Sequence, residues 1–227
     1  MNNYSIAIDG PAGSGKSTVA KQIAKKLNLL YIDTGAMYRA VGLYCLKNGI
    51  DLKEEQKIAS ALKNINMSIE LLQGIQNIYL NGENVTEKIR TQEVGKAASD
   101  VAAILAVRQK LVQIQRDLAK GHSVIMDGRD IGTNVLPDAS VKIYLNASIE
   151  ERTKRRCNEL KALGKQYNSE RVKKEIIQRD ENDKNRKHNP LTKAKDAFEI
   201  DSSDMNIEQV TKAVLNIVKQ KIADLEV

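Results

Sequence analysis

The sequence predicts an α/β fold in which helices flank a five-stranded parallel sheet. Five short apolar runs have the composition and length of buried strands, and they cover residues 4–9, 30–33, 123–127, 141–145 and 197–201. Helical patterns separate the runs, and the connections are too long for hairpins. Strands joined in this way run parallel, with the connecting helices on both faces of the sheet.

Four of the five predicted strands end in an aspartate, namely Asp9, Asp33, Asp127 and Asp201. In an open parallel sheet the ligand crevice lies beyond the carboxyl ends of the strands. We therefore expect a site along the edge where these aspartates meet.

The first strand leads into a segment that matches G-x-x-x-x-G-K-[ST] and consists of Gly10, Pro11, Ala12, Gly13, Ser14, Gly15, Lys16, Ser17 and Thr18. A helical apolar stripe follows it, and strand, glycine loop and helix together are the context of a phosphate-binding P-loop. Backbone amides and the helix N-terminus would hold phosphate oxygens. Lys16 would reach the β- and γ-phosphates, and the Ser17 hydroxyl would ligate Mg²⁺. We predict a P-loop NTPase core that binds a nucleoside triphosphate; the alternative is a glycine turn that matches by chance.

The second strand ends at Asp33 and is followed by Thr34, Gly35 and a helix that carries Arg39. This order places an acid near the P-loop and a cation at the crevice. The alternative is that Thr34 caps the helix and Arg39 lies on the surface.

Two segments interrupt the alternation of strand and helix. Between about residues 64 and 90, the runs 67–71 and 78–80 are typical of short strands, and Asn81-Gly82 is a turn signal. Residues 151–187 predict two charged helices with little core of their own, containing 13 Lys and Arg against 7 Asp and Glu. We interpret the first segment as an antiparallel insertion and the second as a mobile helical lid; a solvated helical face is the alternative for the second.

A long helix is predicted near residues 92–120, and its apolar stripe is Val94, Ala98, Val101, Leu105 and Val112. The spacing also places Arg108 on this stripe. A buried guanidinium needs a partner because an unpaired buried charge is costly. The partner is either an internal acid or a bound polar ligand. The final helix follows a cap at Asn206, and its apolar stripe extends to Leu225.

The third strand has the form of a Walker B strand, because an apolar run ends in a carboxylate, Asp127, that can hold Mg²⁺. Arg129 and Asp130 follow on a turn loosened by Gly128. Arg129 can bind a phosphate with its planar fork; the alternative is an ion pair between Arg129 and Asp130.

The second lid helix carries Arg179, Asp183 and Arg186 at spacings of four and three residues, which predicts one shared face. Two guanidiniums with a carboxylate between them could hold a phosphate and sugar hydroxyls. The spacing is equally compatible with a ladder of surface ion pairs.

Composition limits the remaining classes. No apolar run approaches the roughly 18 residues of a membrane span, and no signal peptide is expected because the first residues already form a strand. Cys45 and Cys157 are far apart, which favours reduced thiols in a cytoplasmic protein. A nucleic-acid-binding ATPase is disfavoured because Trp is absent and Phe198 is the single Phe. A GTPase is disfavoured because no Asn-Lys-x-Asp segment occurs.

Together these segments resemble the bacterial cytidylate kinases, which belong to the P-loop nucleoside monophosphate (NMP) kinases and phosphorylate CMP and dCMP with ATP. The resemblance spans essentially the whole chain, and the matching segments are 8–18, 33–39, 89–94, 127–133 and 179–186. It implies a single domain over 1–227. The core would cover about 1–33, 100–150 and 188–227, the NMP-binding region about 34–99 and the lid about 151–187.

The resemblance also implies a substrate site made of Thr34, Tyr38, Arg39, Ser99, Arg108, Arg129, Asp130, Arg179, Asp183 and Arg186. Arg39 and Arg129 would hold the CMP phosphate. Thr34, Ser99, Arg108 and Asp130 would read cytosine. Asp183 and Arg179 would contact the ribose, and Arg186 the ribose and the transferred phosphate.

Lys16, Arg129, Arg179 and Arg186 would be catalytic, and Ser17, Asp33 and Asp127 would form the Mg²⁺ site. Arg152 and Arg156 lie one turn apart and would clamp ATP. Asn182 and Lys184 stand where relatives carry Arg, so the charge at the phosphates differs slightly. The implied partners are ATP and CMP or dCMP, with no nucleic acid and no membrane, and the implied state is a cytoplasmic monomer.

Cytosine is complementary to Arg108 and Asp130, because Asp130 can accept a hydrogen bond from the exocyclic amine and Arg108 can donate to the ring acceptors. Uracil reverses the donor at position 4 and carries a proton on N3. Each unsatisfied buried group costs about 1–3 kcal/mol, or about 5- to 150-fold in selectivity. We therefore expect UMP to be a poor substrate.

Overall fold

A computed structural model describes residues 3–72 and 75–222 of the chain. The strands are β1 (Ser5–Asp9), β2 (Leu30–Asp33), β3 (Met67–Leu72), β4 (Ile75–Leu80), β5 (Glu83–Asn84), β6 (Val124–Gly128), β7 (Val141–Asn146) and β8 (Phe198–Asp201). The helices are α1 (Lys16–Leu27), α2 (Thr34–Lys47), α3 (Glu55–Ala61), α4 (Gln92–Val101), α5 (Leu105–Ala119), α6 (Ile149–Ala162), α7 (Ser169–Asn185) and α8 (Ile207–Lys221).

The predicted five-stranded parallel sheet is confirmed, with the strand order β2-β6-β1-β7-β8. Each strand lies within a residue or so of its predicted position. The register pairs Asp33 with Asp127 and Asp9 with Gly128. Three of the four strand-terminal aspartates therefore lie side by side at one edge, whereas Asp201 ends the outer strand, is exposed and accepts bonds from Ser203.

Helices cover both faces of the sheet, as predicted, because alternate strand residues point to opposite sides. Ile6, Ile8 and Ile125 pack with apolar residues of α1 and α8. Ala7 and Met126 pack on the opposite face with residues of α5 and of the turn that follows β6. The sheet is consequently buried on both faces, and its polar ends are the part that can meet a ligand.

The antiparallel insertion is also confirmed. β3, β4 and β5 form a separate sheet in that order, and the Asn81-Gly82 turn joins β4 to β5. Both turn residues have positive φ, 51° and 83°, as a tight hairpin turn requires. Gln76 of β4 fixes the insertion to the main sheet, because its side chain bonds both the amide (2.7 Å) and the carbonyl (3.3 Å) of Asp33.

The prediction of a single long helix near residues 92–120 is wrong, because the structure has two helices there, α4 and α5, which are separated at residues 102–104. Ile104 is extended (φ −83°, ψ 122°) and 5% exposed, so the chain turns to bury it. The break moves Leu105 off the buried stripe and leaves it 42% exposed. It also frees the Ala102 carbonyl, which accepts from Arg108 Nη1 at 3.2 Å.

Residues 151–187 form the predicted helical hairpin, α6 and α7. The hairpin has a small apolar cluster of its own, made of Cys157, Leu160, Val172 and Ile176. Leu163, beyond the end of α6, is 65% exposed. α8 begins with a reciprocal capping box between Asn206 and Gln209, whereas Leu225 lies outside the described residues. Within those residues, no helix combines the length and the apolar character needed to cross a membrane.

Candidate active site

The P-loop backbone requires glycine at its first position. Gly10 has φ 150°, and a Cβ there would lie 2.1 Å from the Leu145 carbonyl oxygen of β7. Gly13 and Gly15 have φ values of 75° and 92°, in the left-handed region that suits glycine. The loop ends at the first turn of α1, which starts at Lys16, so free amides of a helix N-terminus face the crevice.

Lys16 is 5% exposed, and its Nζ donates to the Pro11 carbonyl (2.6 Å) and to Ser14 Oγ (3.2 Å). Burial lowers the pKa of Lys16 well below its usual value, and the nearby Arg129 and Arg179 lower it further. The ammonium is therefore held at an energetic disadvantage that an anion would relieve.

The carboxylate of Asp127 accepts from Ser17 Oγ at 2.7 Å and from the Tyr31 hydroxyl at 2.8 Å. Burial, followed by the charge of Asp33, raises the pKa of Asp127 to about 6. Asp33 caps α2, because its Oδ1 accepts from the Ala36 amide at 3.0 Å. Two adjacent carboxylates and a hydroxyl are the oxygen donors that a hard divalent cation prefers, so the predicted metal residues fit such an ion.

Within residues 3–72 and 75–222, no group of three or more His, Cys, Asp or Glu side chains forms a metal cage. An ion held by Ser17 and Asp127 would thus take its remaining ligands from phosphate oxygens and water, as Mg²⁺ commonly does. Sequence reasoning missed Tyr31, whose hydroxyl orients Asp127.

Asp9 supports the loop that follows β6. It is 5% exposed, and its two oxygens accept from the amides of Ile131 (2.8 Å) and Gly132 (2.7 Å). These bonds fix the turn that carries Arg129 and Asp130. Burial raises the pKa of Asp9 to about 6, against the opposing effect of the two amide bonds; Asp130 raises it and Lys16 lowers it to a smaller extent.

This shift predicts how stability depends on pH. Since the folded pKa of Asp9 lies above its unfolded value of 3.8, its contribution favours folding below that value and declines as pH rises through about 6. Between pH 5 and 7 the free energy of unfolding should fall by about 1 kcal/mol on account of Asp9. Urea unfolding at pH 5, 6 and 7 should show a flatter slope for Asp9→Asn than for wild type. Equal slopes would contradict the prediction, and the exposed Asp204→Asn is the control.

Four arginines, Arg39, Arg129, Arg179 and Arg186, form what we call the arginine cluster. Arg129 Nε donates to Asp183 Oδ2 at 2.7 Å. Arg179 Nε is buried, and no hydrogen-bond partner for it lies in the described part of the chain. Burial, then the charge of Arg129, lowers the pKa of Arg179 to about 10. Burial likewise lowers the pKa of Arg39, and the charges of Arg129 and Arg156 contribute.

Arg39 is also held by the backbone, because its Nη1 donates to the carbonyls of Ile89 (3.1 Å) and Thr91 (3.3 Å). Gly95 of α4 makes room for it, since a Cβ there would lie 3.0 Å from Arg39 Nη1. Arg39 is thus a braced, half-buried cation rather than a free surface side chain.

Arg108 has an internal acid as its partner. Its side chain is 2% exposed and forms an ion pair with Asp130. Arg186 Nη2 donates to the other Asp130 oxygen at 3.0 Å, and Asn134 Nδ2 donates to Oδ2 at 2.9 Å. Arg129 and Asp130 therefore do not pair with each other.

Sequence reasoning missed Asn189, which accepts from Arg108 Nε (3.3 Å) through its side chain and from Arg186 Nε (2.6 Å) through its carbonyl.

The expectation that Arg186 shares a helix face with Arg179 and Asp183 is wrong. α7 ends at Asn185, and Arg186 follows in an extended conformation (φ −62°, ψ 141°). Leaving the helix is what allows its guanidinium to reach Asp130 and Asn189.

The remaining predicted residues occupy different settings. Thr34 is buried and donates from Oγ1 to the Asp127 carbonyl at 2.7 Å. Ser99 Oγ is buried, and it has no partner within the described residues. Tyr38 lies beside Arg108, 5.8 Å from the guanidinium carbon to the ring centre. Thr18 is exposed on the first turn of α1.

The two arginines expected to clamp ATP differ in their exposure and in their ion-pair partners. Arg156 is partly exposed and pairs with Glu159 at 2.8 Å. Arg152 is 7% exposed and pairs with Asp180, which sequence reasoning missed. Arg155, also missed, donates to the Ser14 carbonyl of the P-loop at 3.3 Å.

A P-loop beside two adjacent carboxylates, with a cluster of arginines nearby, is the arrangement expected of a kinase of the P-loop α/β class. The fold is similar to that of shikimate kinase from Bacteroides thetaiotaomicron, with a TM-score of 0.50 and 13% identity over 95% of this chain and 98% of that one.

The sequence model of the family described as cytidylate kinase matches residues 6–220. The chain is 52% identical to a cytidylate kinase of Caldicellulosiruptor saccharolyticus, over 99% of both chains. It is 51% identical to one of Pediococcus pentosaceus, over 96% of this chain and 97% of that protein. The chain therefore belongs to the cytidylate kinase family, as the sequence motifs predicted, and it is a nucleoside monophosphate kinase.

Proposed function

We propose that this protein transfers the γ-phosphoryl group of ATP to the phosphate of CMP and dCMP, giving ADP and CDP or dCDP. The observation that carries the proposal is that two groups of cationic side chains lie at one sheet edge. Lys16 and the P-loop amides form the donor side, and the arginine cluster forms the acceptor side. Arg129 and Arg179 are close enough to Lys16 to lower its pKa, which suits two phosphates that must come into contact.

Catalysis in this site is positioning and charge neutralisation. The acceptor oxygen of a nucleoside monophosphate is already ionised near neutral pH, so no strong general base is needed. Lys16 would stabilise charge on the phosphate being transferred, and Arg129, Arg179 and Arg186 would hold donor and acceptor in line. Burial, together with the neighbouring guanidinium of Arg129, lowers the pKa of Lys16 and of Arg179, so bound phosphates would relieve an unfavourable burial and crowding of cations.

We propose Mg²⁺ as the metal, held by Ser17 and Asp127 with Asp33 beside them. When bound, the ion would neutralise charge on the ATP phosphates. Before that, Asp127 holds the Ser17 hydroxyl in place through their bond of 2.7 Å.

The buried pair of Arg108 and Asp130 is suited to reading a base. An ionised carboxylate offers about four lone-pair sites, and Asp130 uses three of them for Arg108, Arg186 and Asn134. One acceptor site remains on Oδ1 for the amine of cytosine. Arg108 uses three of its five N–H donors on Asn189, Ala102 and Asp130, which leaves donors for the ring acceptors. Thr34 would complete the pocket together with the Ser99 hydroxyl, for which the described part of the chain holds no hydrogen-bond partner.

The setting we propose is a monomer in the cytoplasm with no nucleic acid partner. Cys45 and Cys157 are both buried and free, as in proteins of a reducing compartment. Several basic side chains of residues 151–187 pair with acids of the same hairpin, such as Arg155 with Glu151 and Lys173 with Glu150. Part of the basic charge is therefore compensated within the hairpin and is not available to a phosphate backbone.

An assay of ATP consumption with CMP, dCMP, UMP, AMP and GMP tests the proposal. We expect CMP and dCMP to give the highest kcat/KM, and UMP to fall at least about tenfold below CMP. Purine monophosphates preferred over CMP would overturn the proposed substrate. Binding to RNA that weakens steeply with salt would revive the nucleic-acid alternative.

A further inference from the structure

The lid hairpin is joined to the P-loop by a buried cluster that we call the Ala12 clamp, made of Arg152, Asp180 and the backbone of Ala12. Asp180 Oδ1 accepts from the Ala12 amide at 3.2 Å, and Arg152 Nη1 donates to the Ala12 carbonyl at 3.1 Å. Arg152 also forms an ion pair with Asp180. Both sides of one P-loop residue are therefore bound by side chains from the two helices of the hairpin.

The two side chains of the clamp are largely shielded from solvent. Arg152 and Asp180 are each 7% exposed. Arg152 Nε donates to the Ala147 carbonyl at 2.9 Å, just beyond β7. The Arg152 charge is thus neutralised by Asp180, and its Nε and Nη1 atoms donate to protein atoms. This setting differs from that of Lys16 and Arg179, which lie close to the guanidinium of Arg129.

α6 continues along the P-loop from this cluster. A Cβ at Gly13 would lie 3.4 Å from Arg152 Cβ, so the backbone of α6 packs directly on that glycine. Arg155, almost one helical turn beyond Arg152, donates to the Ser14 carbonyl and to the Ser202 carbonyl, the latter at 2.6 Å. Successive P-loop residues from Ala12 to Ser14 are held by one helix face.

α7 carries groups of the acceptor side next to the clamp. Asp180 lies between Arg179 and Asp183, and Asp183 holds Arg129. The hydrogen bond from Ala12 to Asp180 therefore fixes the position of α7 relative to the P-loop. We propose that Arg152 and Asp180 are positioning residues that set the P-loop conformation for ATP and place Arg179 and Asp183 opposite Lys16. This inference rests on the proposed phosphoryl transfer, and it replaces the expected contact between Arg152 and ATP.

Three variants test the clamp. Arg152→Lys keeps the charge and loses the planar fork, and Asp180→Asn keeps the shape and loses the charge. The double variant Arg152→Met/Asp180→Leu removes both charges with apolar side chains of similar volume, a replacement that commonly preserves or raises stability. Arg171→Lys is the matched control, because Arg171 forms an exposed ion pair with Glu175 on the surface of α7.

Three measurements should be made on each full-length variant: hydrogen exchange of amides 12–16, the Kd for MgATP, and the KM values for ATP and CMP. We expect all three clamp variants to exchange these amides at least about tenfold faster and to bind MgATP about tenfold more weakly, on the scale of a lost charge-assisted bond. The KM for CMP should change less than the KM for ATP. The control should behave as wild type.

The double variant separates positioning from stability. Normal stability together with fast exchange and weak ATP binding supports the clamp. Normal stability together with wild-type exchange and ATP affinity overturns it, since the pair would then be merely structural. Weaker ATP binding by Arg152→Lys with unchanged exchange also overturns it, in favour of a direct contact with ATP. If wild type fails to phosphorylate CMP, the proposed function fails, but exchange and MgATP affinity still decide the clamp.

Discussion

Replacement of Lys16 by alanine should reduce kcat for CMP phosphorylation by about 10³ or more, the scale of losing a major charge stabiliser in a preorganised site. Lys16 Nζ is directed into the P-loop by the Pro11 carbonyl and Ser14 Oγ, so no other described ammonium occupies this position. Steady-state and single-turnover rates at saturating MgATP and CMP measure the effect on the chemical step.

The same change should leave the ligand-free fold intact. Burial and nearby arginines lower the pKa of Lys16, so the charged side chain costs stability before phosphate binds. The free energy of unfolding of Lys16→Ala should therefore equal or exceed that of wild type near neutral pH. Lys25→Ala, on the exposed face of α1, is the control for helix content. A kcat within tenfold of wild type in a folded Lys16→Ala variant would refute the assigned role.

The sheet, the insertion and the P-loop could be predicted because each has a local signal. Strands alternate with helical patterns, Asn81-Gly82 specifies a hairpin turn, and the P-loop glycines have fixed spacing. The break between α4 and α5 has no such signal, since residues 102–104 contain neither glycine nor proline. It follows from burial of Ile104, which depends on the tertiary fold.

Site residues that belong to a sequence motif could be predicted. Residues whose partner is a backbone atom far away in the sequence could not. The sequence identified Arg108 as a candidate because it places a charged residue on an apolar stripe. The pattern did not decide whether the partner of Arg108 is an acid or a ligand. The role of Asp180 could not be predicted, because the Ala12 amide that donates a hydrogen bond to it lies 168 positions away in the sequence. Gln76, which binds the Asp33 backbone across 43 positions, was missed for the same reason.

Asp130→Asn should produce the largest loss of stability among the site variants. Asp130 is the counter-charge for Arg108 and Arg186, whose side chains are 2% and 5% exposed. Removing one partner of a buried pair costs about 3–5 kcal/mol because an uncompensated charge stays behind. In a domain of this size that corresponds to a fall in Tm of about 10 °C. Asp196→Asn is the matched control, because Asp196 pairs with Lys142 while its side chain is 65% exposed, so its loss should cost at most about 1 kcal/mol.

Asp130→Asn should also reduce the discrimination between cytosine and uracil. A neutral amide can rotate to offer either its oxygen to the amine of cytosine or its NH₂ to the oxygen of uracil, whereas the Asp130 carboxylate can only accept. The ratio of kcat/KM for CMP over UMP should therefore fall by about tenfold, within the range for one buried polar mismatch. The assay should be run well below the lowered Tm, with far-UV circular dichroism to verify folding.

The two readouts separate the roles of Asp130. A lowered Tm with an unchanged CMP/UMP ratio would place Asp130 outside the base pocket, as a group that only holds Arg108 and Arg186. A lowered ratio accompanied by a normal KM for ATP would support base reading, because the donor side at Lys16 would be intact. Loss of ATP and CMP affinity together would instead indicate that Arg186, freed from its bond of 3.0 Å to Asp130, had left the arginine cluster.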